Sequence, residues 1–252
     1  MKNYKLDLQG QRIEFIDNRF YLSQKGNYLP SVTTILEAFP KDQSYFKWLK
    51  DVGGDADSIR DEAGKRGSIV HELTERYDTN EEVSFLSENG VPRFKMLEWS
   101  MFERYVNFSE TFKPEIELME LHMMSDKLGF AGTLDRVLKL GTLRLLVDIK
   151  TSGNIYQSYW LQLAAYHELL KAHDKSIKVD GAAILWLNAK TRTTGKGGAI
   201  QGHGWQLVQR SMSELKKDWD LFKSTHKLWK AMNDGVLPRN ISYQLKHKKN
   251  DM

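Results

Sequence analysis

The sequence predicts an α/β protein, a β-sheet flanked by helices with further helices ahead of it. Helical patterns run to about residue 112, and strand patterns crowd between 115 and 150 before a helix and further strands follow. The pair Gly141-Thr142 joins two apolar runs, and glycine at the first central position suits a type II′ hairpin turn. A chain of 252 residues that is 40% hydrophobic has length enough for a sizeable core.

Each element follows from local signals. Residues 12–22 read as a small hairpin turning at Asp17-Asn18. Residues 32–39 read as a short helix, capped by Ser31 and ended by Pro40. Further helices are expected over 43–50, 57–77 and 93–112, the last two joined by the polar connection 81–92. Strands follow at 115–124, 130–140 and 143–150, then a helix at 155–173, strands at 179–188 and 200–210, and a final helix at 213–232. The chain ends in a basic tail, Lys246-His247-Lys248-Lys249. There is no internal repeat or low-complexity segment.

Composition narrows the function. Cysteine is absent, which excludes disulfides, thiolate zinc sites and an iron–sulfur cluster. No apolar run approaches 18 residues, and the start of the chain lacks an apolar signal region, so a cytoplasmic protein without a membrane partner is expected. The net charge of +4 permits an anionic partner such as DNA. The segment Ala63-Gly64-Lys65-Arg66-Gly67-Ser68 is not a P-loop, because the upstream glycine is missing and Arg66 follows the lysine.

The hairpin carries the chemistry. With Leu140 opposite Leu143, the register sets Asp135 against Asp148 and Thr133 against Lys150. Directly opposed Cβ atoms lie roughly 4.5–5.5 Å apart. Two facing carboxylates repel, and a hard divalent cation such as Mg²⁺ or Mn²⁺ removes that cost. Lys150 lies two residues beyond Asp148 and shares its strand face. Two acids and a lysine so placed suit metal-assisted hydrolysis of a phosphodiester. On the following helix, Gln162 and Tyr166 are one turn apart, within a run apolar enough to be buried.

Four segments in order carry a family resemblance: Arg66-Gly67-Ser68-Ile69-Val70-His71-Glu72-Leu73-Thr74-Glu75, Gly132-Thr133-Leu134-Asp135, Asp148-Ile149-Lys150-Thr151-Ser152, and Gln162-Leu163-Ala164-Ala165-Tyr166. The segment Tyr28-Leu29-Pro30-Ser31-Val32-Thr33-Thr34-Ile35-Leu36 also looks like the opening of phage-type members. The chain resembles the RecB-type branch of the PD-(D/E)XK nuclease superfamily, which includes phage and CRISPR-associated exonucleases. The first acid follows Leu134 rather than the proline of the superfamily name.

The resemblance implies a central mixed sheet flanked by helices with an N-terminal helical elaboration, in a single nuclease domain over 1–252. Within it, the hairpin and helical region covers about 1–112, the core about 57–210, and the last helix and tail 213–252. It implies that Asp135 and Asp148 bind metal with His71, that Lys150 is catalytic, and that Gln162 and Tyr166 support the site or contact nucleic acid. Glu120 is the acid of 115–122 whose position best fits a place near the metal. Glu75, one turn beyond His71, is a candidate to hold the imidazole. Lys190, Arg192 and Lys196 stand in a loop that could grip phosphates. The implied activity is a Mg²⁺- or Mn²⁺-dependent DNA exonuclease of recombination, repair or replication, phage-encoded in many relatives, acting on single strands or duplex ends, with a recombination or replication protein as possible partner. The alternatives are a structure-specific or restriction-like endonuclease, and a non-cleaving nucleic-acid-binding protein of the same fold.

Overall fold

The computed structural model describes residues 12–15, 18–189 and 204–238. Strands β1 (Arg12–Phe15), β2 (Asn18–Leu22) and β3 (Tyr28–Pro30) form a small antiparallel sheet. Helices α1 (Val32–Leu36), α2 (Gln43–Val52), α3 (Ala56–Asp78) and α4 (Met96–Phe112) follow. Next come β4 (Glu115–Ser125), β5 (Phe130–Leu140), β6 (Leu143–Lys150), α5 (Gln157–His173), β7 (Gly181–Trp186), β8 (Gln206–Ser211) and α6 (Met212–Met232).

The main sheet is mixed, in the order β4-β5-β6-β7-β8. Its first three strands form an antiparallel meander, β6 pairs parallel with β7, and β8 is antiparallel to β7. A parallel neighbour requires a crossover, and α5 supplies it. Strand β6 is accordingly buried from Leu145 through Ile149, as expected of a strand covered on both faces. One face packs Leu146 and Ile184 against Leu161 of α5, Phe222 of α6 and Val32 and Ile35 of α1. The other packs Leu145, Val147 and Leu185 against Val70 of α3 and Met101, Tyr105 and Phe108 of α4. Helix α5 is buried almost all round over Trp160 to Tyr166, because sheet, α1 and α6 enclose it.

The hairpin turn is as expected. Gly141 has φ +62° while Thr142 is not among the positive-φ residues, which matches a type II′ turn. Ser31 caps α1, its Oγ accepting the N–H of Thr34 at 3.0 Å. Several boundaries differ from expectation. Helix α1 stops at Leu36, because the N–H groups of Ala38 and Phe39 bond three residues back and tighten the chain before Pro40. Helix α4 begins only at Met96, where the Glu98 carboxylate accepts the Lys95 N–H at 2.7 Å. Asn18 opens β2 opposite Phe15, so it belongs to the strand and not to the turn in which the sequence set it. Strand β7 is shorter than the expected 179–188. Among the described residues no helix is long and apolar enough to cross a membrane.

Candidate functional site

The site lies where the main sheet opens. The β5–β6 ladder runs from Leu140↔Leu143 to Arg136↔Val147 and stops there. The expected next pair, Asp135 opposite Asp148, is not part of it. Asp135 Oδ2 instead accepts the backbone N–H of Ile149 at 2.7 Å. The Ile149 carbonyl is met by His71 Nε2 of α3 at 3.0 Å. Side chains thus replace the missing strand partner, so the buried backbone groups stay satisfied. The electrostatic reason for the opening is that two opposed carboxylates inside an apolar sheet repel.

A carbonyl oxygen only accepts, so His71 Nε2 carries the proton and Nδ1 presents its lone pair in the neutral ring. Nδ1 lies 3.7 Å from Asp135 Oδ2. Ile149, not Glu75, therefore orients the imidazole. Glu120 joins from β4. Ligand atoms of His71, Glu120 and Asp135 all lie within 4.8 Å of one another. Glu120 has φ +46° inside a strand, a conformation costly for a side chain with a Cβ. The ladder registers Met119 with Arg136 and Leu121 with Leu134, with no backbone pairing of Glu120 between them. Burial raises the Glu120 pKa and Asp135 adds to the rise, opposed by His71 and Arg136. One imidazole nitrogen and two carboxylates form a donor set that fits a divalent cation of the Mg²⁺ or Mn²⁺ type.

Asp148 and Lys150 form the second half. Asp148 is 1% exposed, and neither oxygen has a well-angled hydrogen bond, although Lys150 Nζ lies 2.7 Å from Oδ2. Burial pushes the Asp148 carboxyl up to about 6, with Lys150 pulling it down and Asp135 raising it. For Lys150 burial acts downward, but Asp148 and Asp135 outweigh it and the net shift is upward. Lys150 Nζ also donates to Gln162 Oε1 at 3.0 Å and stands 4.6 Å from the Tyr159 ring centre. With its oxygen turned to the lysine, Gln162 donates through Nε2 to the Tyr166 hydroxyl at 2.9 Å. The Tyr166 ring lies against Gly132, where a Cβ would meet Cε1 at 2.6 Å. Glycine in the Gly132-Thr133-Leu134-Asp135 segment is thus a matter of close approach.

The residues of both halves line one cavity of about 600 Å³, together with Arg19, Tyr21, Arg66, Glu75 and His122. The structure thus brings together His71, Glu120, Asp135, Asp148, Lys150, Gln162 and Tyr166. It divides them otherwise than the sequence suggested, setting Glu120 beside His71 and Asp135 while Asp148 pairs with Lys150. Sequence reading did not single out Arg136 or Tyr159. A charge between Leu134 and Val137 was a signal for Arg136, since a charge in an apolar run needs a partner. Tyr159 lies three residues before Gln162, on the same helix face. Lys190, Arg192, Lys196 and the basic tail at 246–249 fall outside the described residues.

No curated protein matches the chain. Among solved structures, a crystal structure of an alkaline exonuclease from Laribacter hongkongensis is similar to this chain at 8% identity and a TM-score of 0.32, over 82% of this chain and 92% of that one. The profile of the PD-(D/E)XK nuclease superfamily matches residues 43–242, most of the chain, with the sheet and all seven clustered side chains inside the match. The chain belongs to the PD-(D/E)XK nuclease superfamily.

Proposed function

We propose that this nuclease is a divalent-metal-dependent deoxyribonuclease that degrades DNA from its ends, in recombination, repair or replication. Nucleases of this superfamily use divalent metals. The observation that carries the reading is the meeting of the His71–Glu120–Asp135 donor set with the Asp148–Lys150–Gln162 chain in one cavity.

His71, Glu120 and Asp135 would hold the cation, with Asp148 adjoining. When bound, Mg²⁺ or Mn²⁺ lowers the pKa of a water and draws charge from the scissile phosphate. Lys150 donates to Gln162 and forms an ion pair with Asp148, and a remaining donor of its ammonium orients the attacking water and offsets charge growing on the phosphate. Gln162, braced by Tyr166, fixes the ammonium at the angle this needs. The action on ends is supported by the motif order shared with exonucleases of the RecB-type branch.

The test is cleavage of end-labelled linear and closed circular DNA, single- and double-stranded, with Mg²⁺, Mn²⁺ or EDTA. Metal-dependent loss of linear substrates alone, absent in Asp148→Asn and Lys150→Ala, is expected. Opened circles would replace the exonuclease by an endonuclease. Binding without cleavage in any metal would leave a non-cleaving protein of the same fold.

A further inference from the structure

Arg136 is fully buried, its side chain 0% exposed, yet it touches every element that supplies the candidate cation ligands. Nε donates to Asp78 Oδ2 at 2.8 Å, at the end of α3. Nη1 donates to Glu120 Oε1 at 3.0 Å on β4 and to the Asp135 carbonyl at 2.8 Å on β5. Nη2 reaches Thr74 Oγ1 at 3.4 Å, and that hydroxyl donates to the His71 carbonyl at 2.8 Å. The Tyr105 hydroxyl donates to Asp78 Oδ2 at 2.6 Å and holds the far side of the ion pair.

A buried ion pair is weak evidence of a stabilising role, since well-packed apolar side chains often serve as well. What needs explaining is why the guanidinium binds Glu120, whose backbone is held at φ +46°. A planar fork with fixed donor directions can hold a carboxylate at one angle while leaving it its second oxygen. We propose that Arg136 is a positioning residue for the cation site. It clamps Glu120 through Oε1, and through Asp78 and Thr74 it locks α3 in the register that brings His71 to Asp135. The donor set is thereby assembled before the ion arrives. The identity of the ion rests on the nuclease reading, but the clamp is measured without cleavage.

The sign of the effect separates positioning from charge. Arg136 neutralises part of the site, so if only its charge mattered, losing it would tighten cation binding. Positioning predicts weaker binding. The experiment is calorimetric titration of the whole chain with Mn²⁺, alongside thermal unfolding of the metal-free protein, for wild type, Arg136→Lys, Asp78→Asn, Glu120→Gln and the Arg136→Lys/Glu120→Gln double variant. Arg136→Lys keeps the charge and loses the fork, and Asp78→Asn keeps the arginine and loosens it. Each should raise the Mn²⁺ Kd about tenfold, as loss of a ligand-orienting partner commonly does. In the Glu120→Gln background, Arg136→Lys should raise the Kd by clearly less than in the wild-type background, since the clamped carboxylate is gone and only the hold on α3 remains. If Arg136→Lys does not fold, Tyr105→Phe takes its place, since it removes the hydroxyl that holds Asp78 and alters no charge. Unchanged or tighter binding in a folded variant, or losses that simply multiply in the double variant, would overturn the clamp and leave the nuclease reading standing. No Mn²⁺ binding by wild type would overturn both.

Discussion

Replacing Gly132 by alanine tests whether the close packing of Tyr166 on β5 governs the site. The new Cβ would stand 2.6 Å from Cε1 and 3.2 Å from Cδ1 of the ring, with Val32 Cγ2 at 3.4 Å behind it. Comfortable carbon contacts begin near 3.5 Å, so the ring must retreat by about 1 Å. Tyr166 is 5% exposed and lies in the core around α5, so it has little room to retreat. Overpacking of this kind costs about 1–3 kcal/mol. The hydroxyl moves with the ring and draws on Gln162, which holds Lys150 at 3.0 Å. A displacement near 1 Å at a reacting group can cost on the order of a hundredfold in rate. Gly132→Ala should therefore unfold at lower urea concentration and lose about 10- to 100-fold in kcat/KM. Because the clash is with the ring, Tyr166→Leu should be less harmful in the alanine background than alone, with a favourable coupling of about 1 kcal/mol in denaturant titrations. Wild-type stability and activity in Gly132→Ala would refute the reasoning, as would strictly additive losses in the double variant.

Other predictions concern residues outside the seven clustered side chains. His226 packs edge-on against Phe130 with Nε2 buried and unbonded, and burial, aided by Lys230, lowers its pKa from 6.5 to about 4. The unfolded chain therefore takes up the proton first, and stability present above pH 6.5 is lost as pH falls toward 4, by about 3 kcal/mol from this group. His226→Phe should flatten the slope of unfolding free energy over that window; an unchanged slope would refute a neutral buried histidine. Asp218 accepts two hydrogen bonds from Arg210 Nη1, both at 2.6 Å, and one from Gln157 at 2.8 Å, with Arg210 above the Trp160 ring. Asp218→Leu should cost about 3 kcal/mol, the low end for stranding a buried partner because Arg210 keeps a quarter of its exposure. Its rate of cleavage well below the melting temperature should match wild type. Ser31→Ala removes the α1 cap and should cost about 1 kcal/mol in chemical denaturation.

Sequence reading reached the architecture because its signals were local. Gly141 determined the hairpin turn, the apolar residues of 143–150 marked a strand, and Ser31 marked a cap. It reached the cluster of acids and lysine through the period of two along strands. It did not reach the opening of the sheet at Asp135, because a register projected from the turn assumes that the ladder continues. Nor did it reach Arg136, whose partners Asp78 and Glu120 are 58 and 16 residues away in the chain. The conformation of Glu120 was also illegible, since nothing in an alternating strand pattern announces a positive φ at a glutamate.

The backbone of Ile149 has a consequence for observing this protein. Its amide proton sits in the sheet yet answers to a side chain from β5, and its carbonyl answers to a ring from a helix 78 residues upstream. A hairpin that zips from Gly141 can complete its own ladder without either, so the last link closes only when α3 docks. Exchange of that single proton with solvent deuterium reads the Asp135 contact within the hairpin, while the His71 ring at the carbonyl of the same residue reads the docking of α3, so one peptide unit carries a near and a distant contact side by side.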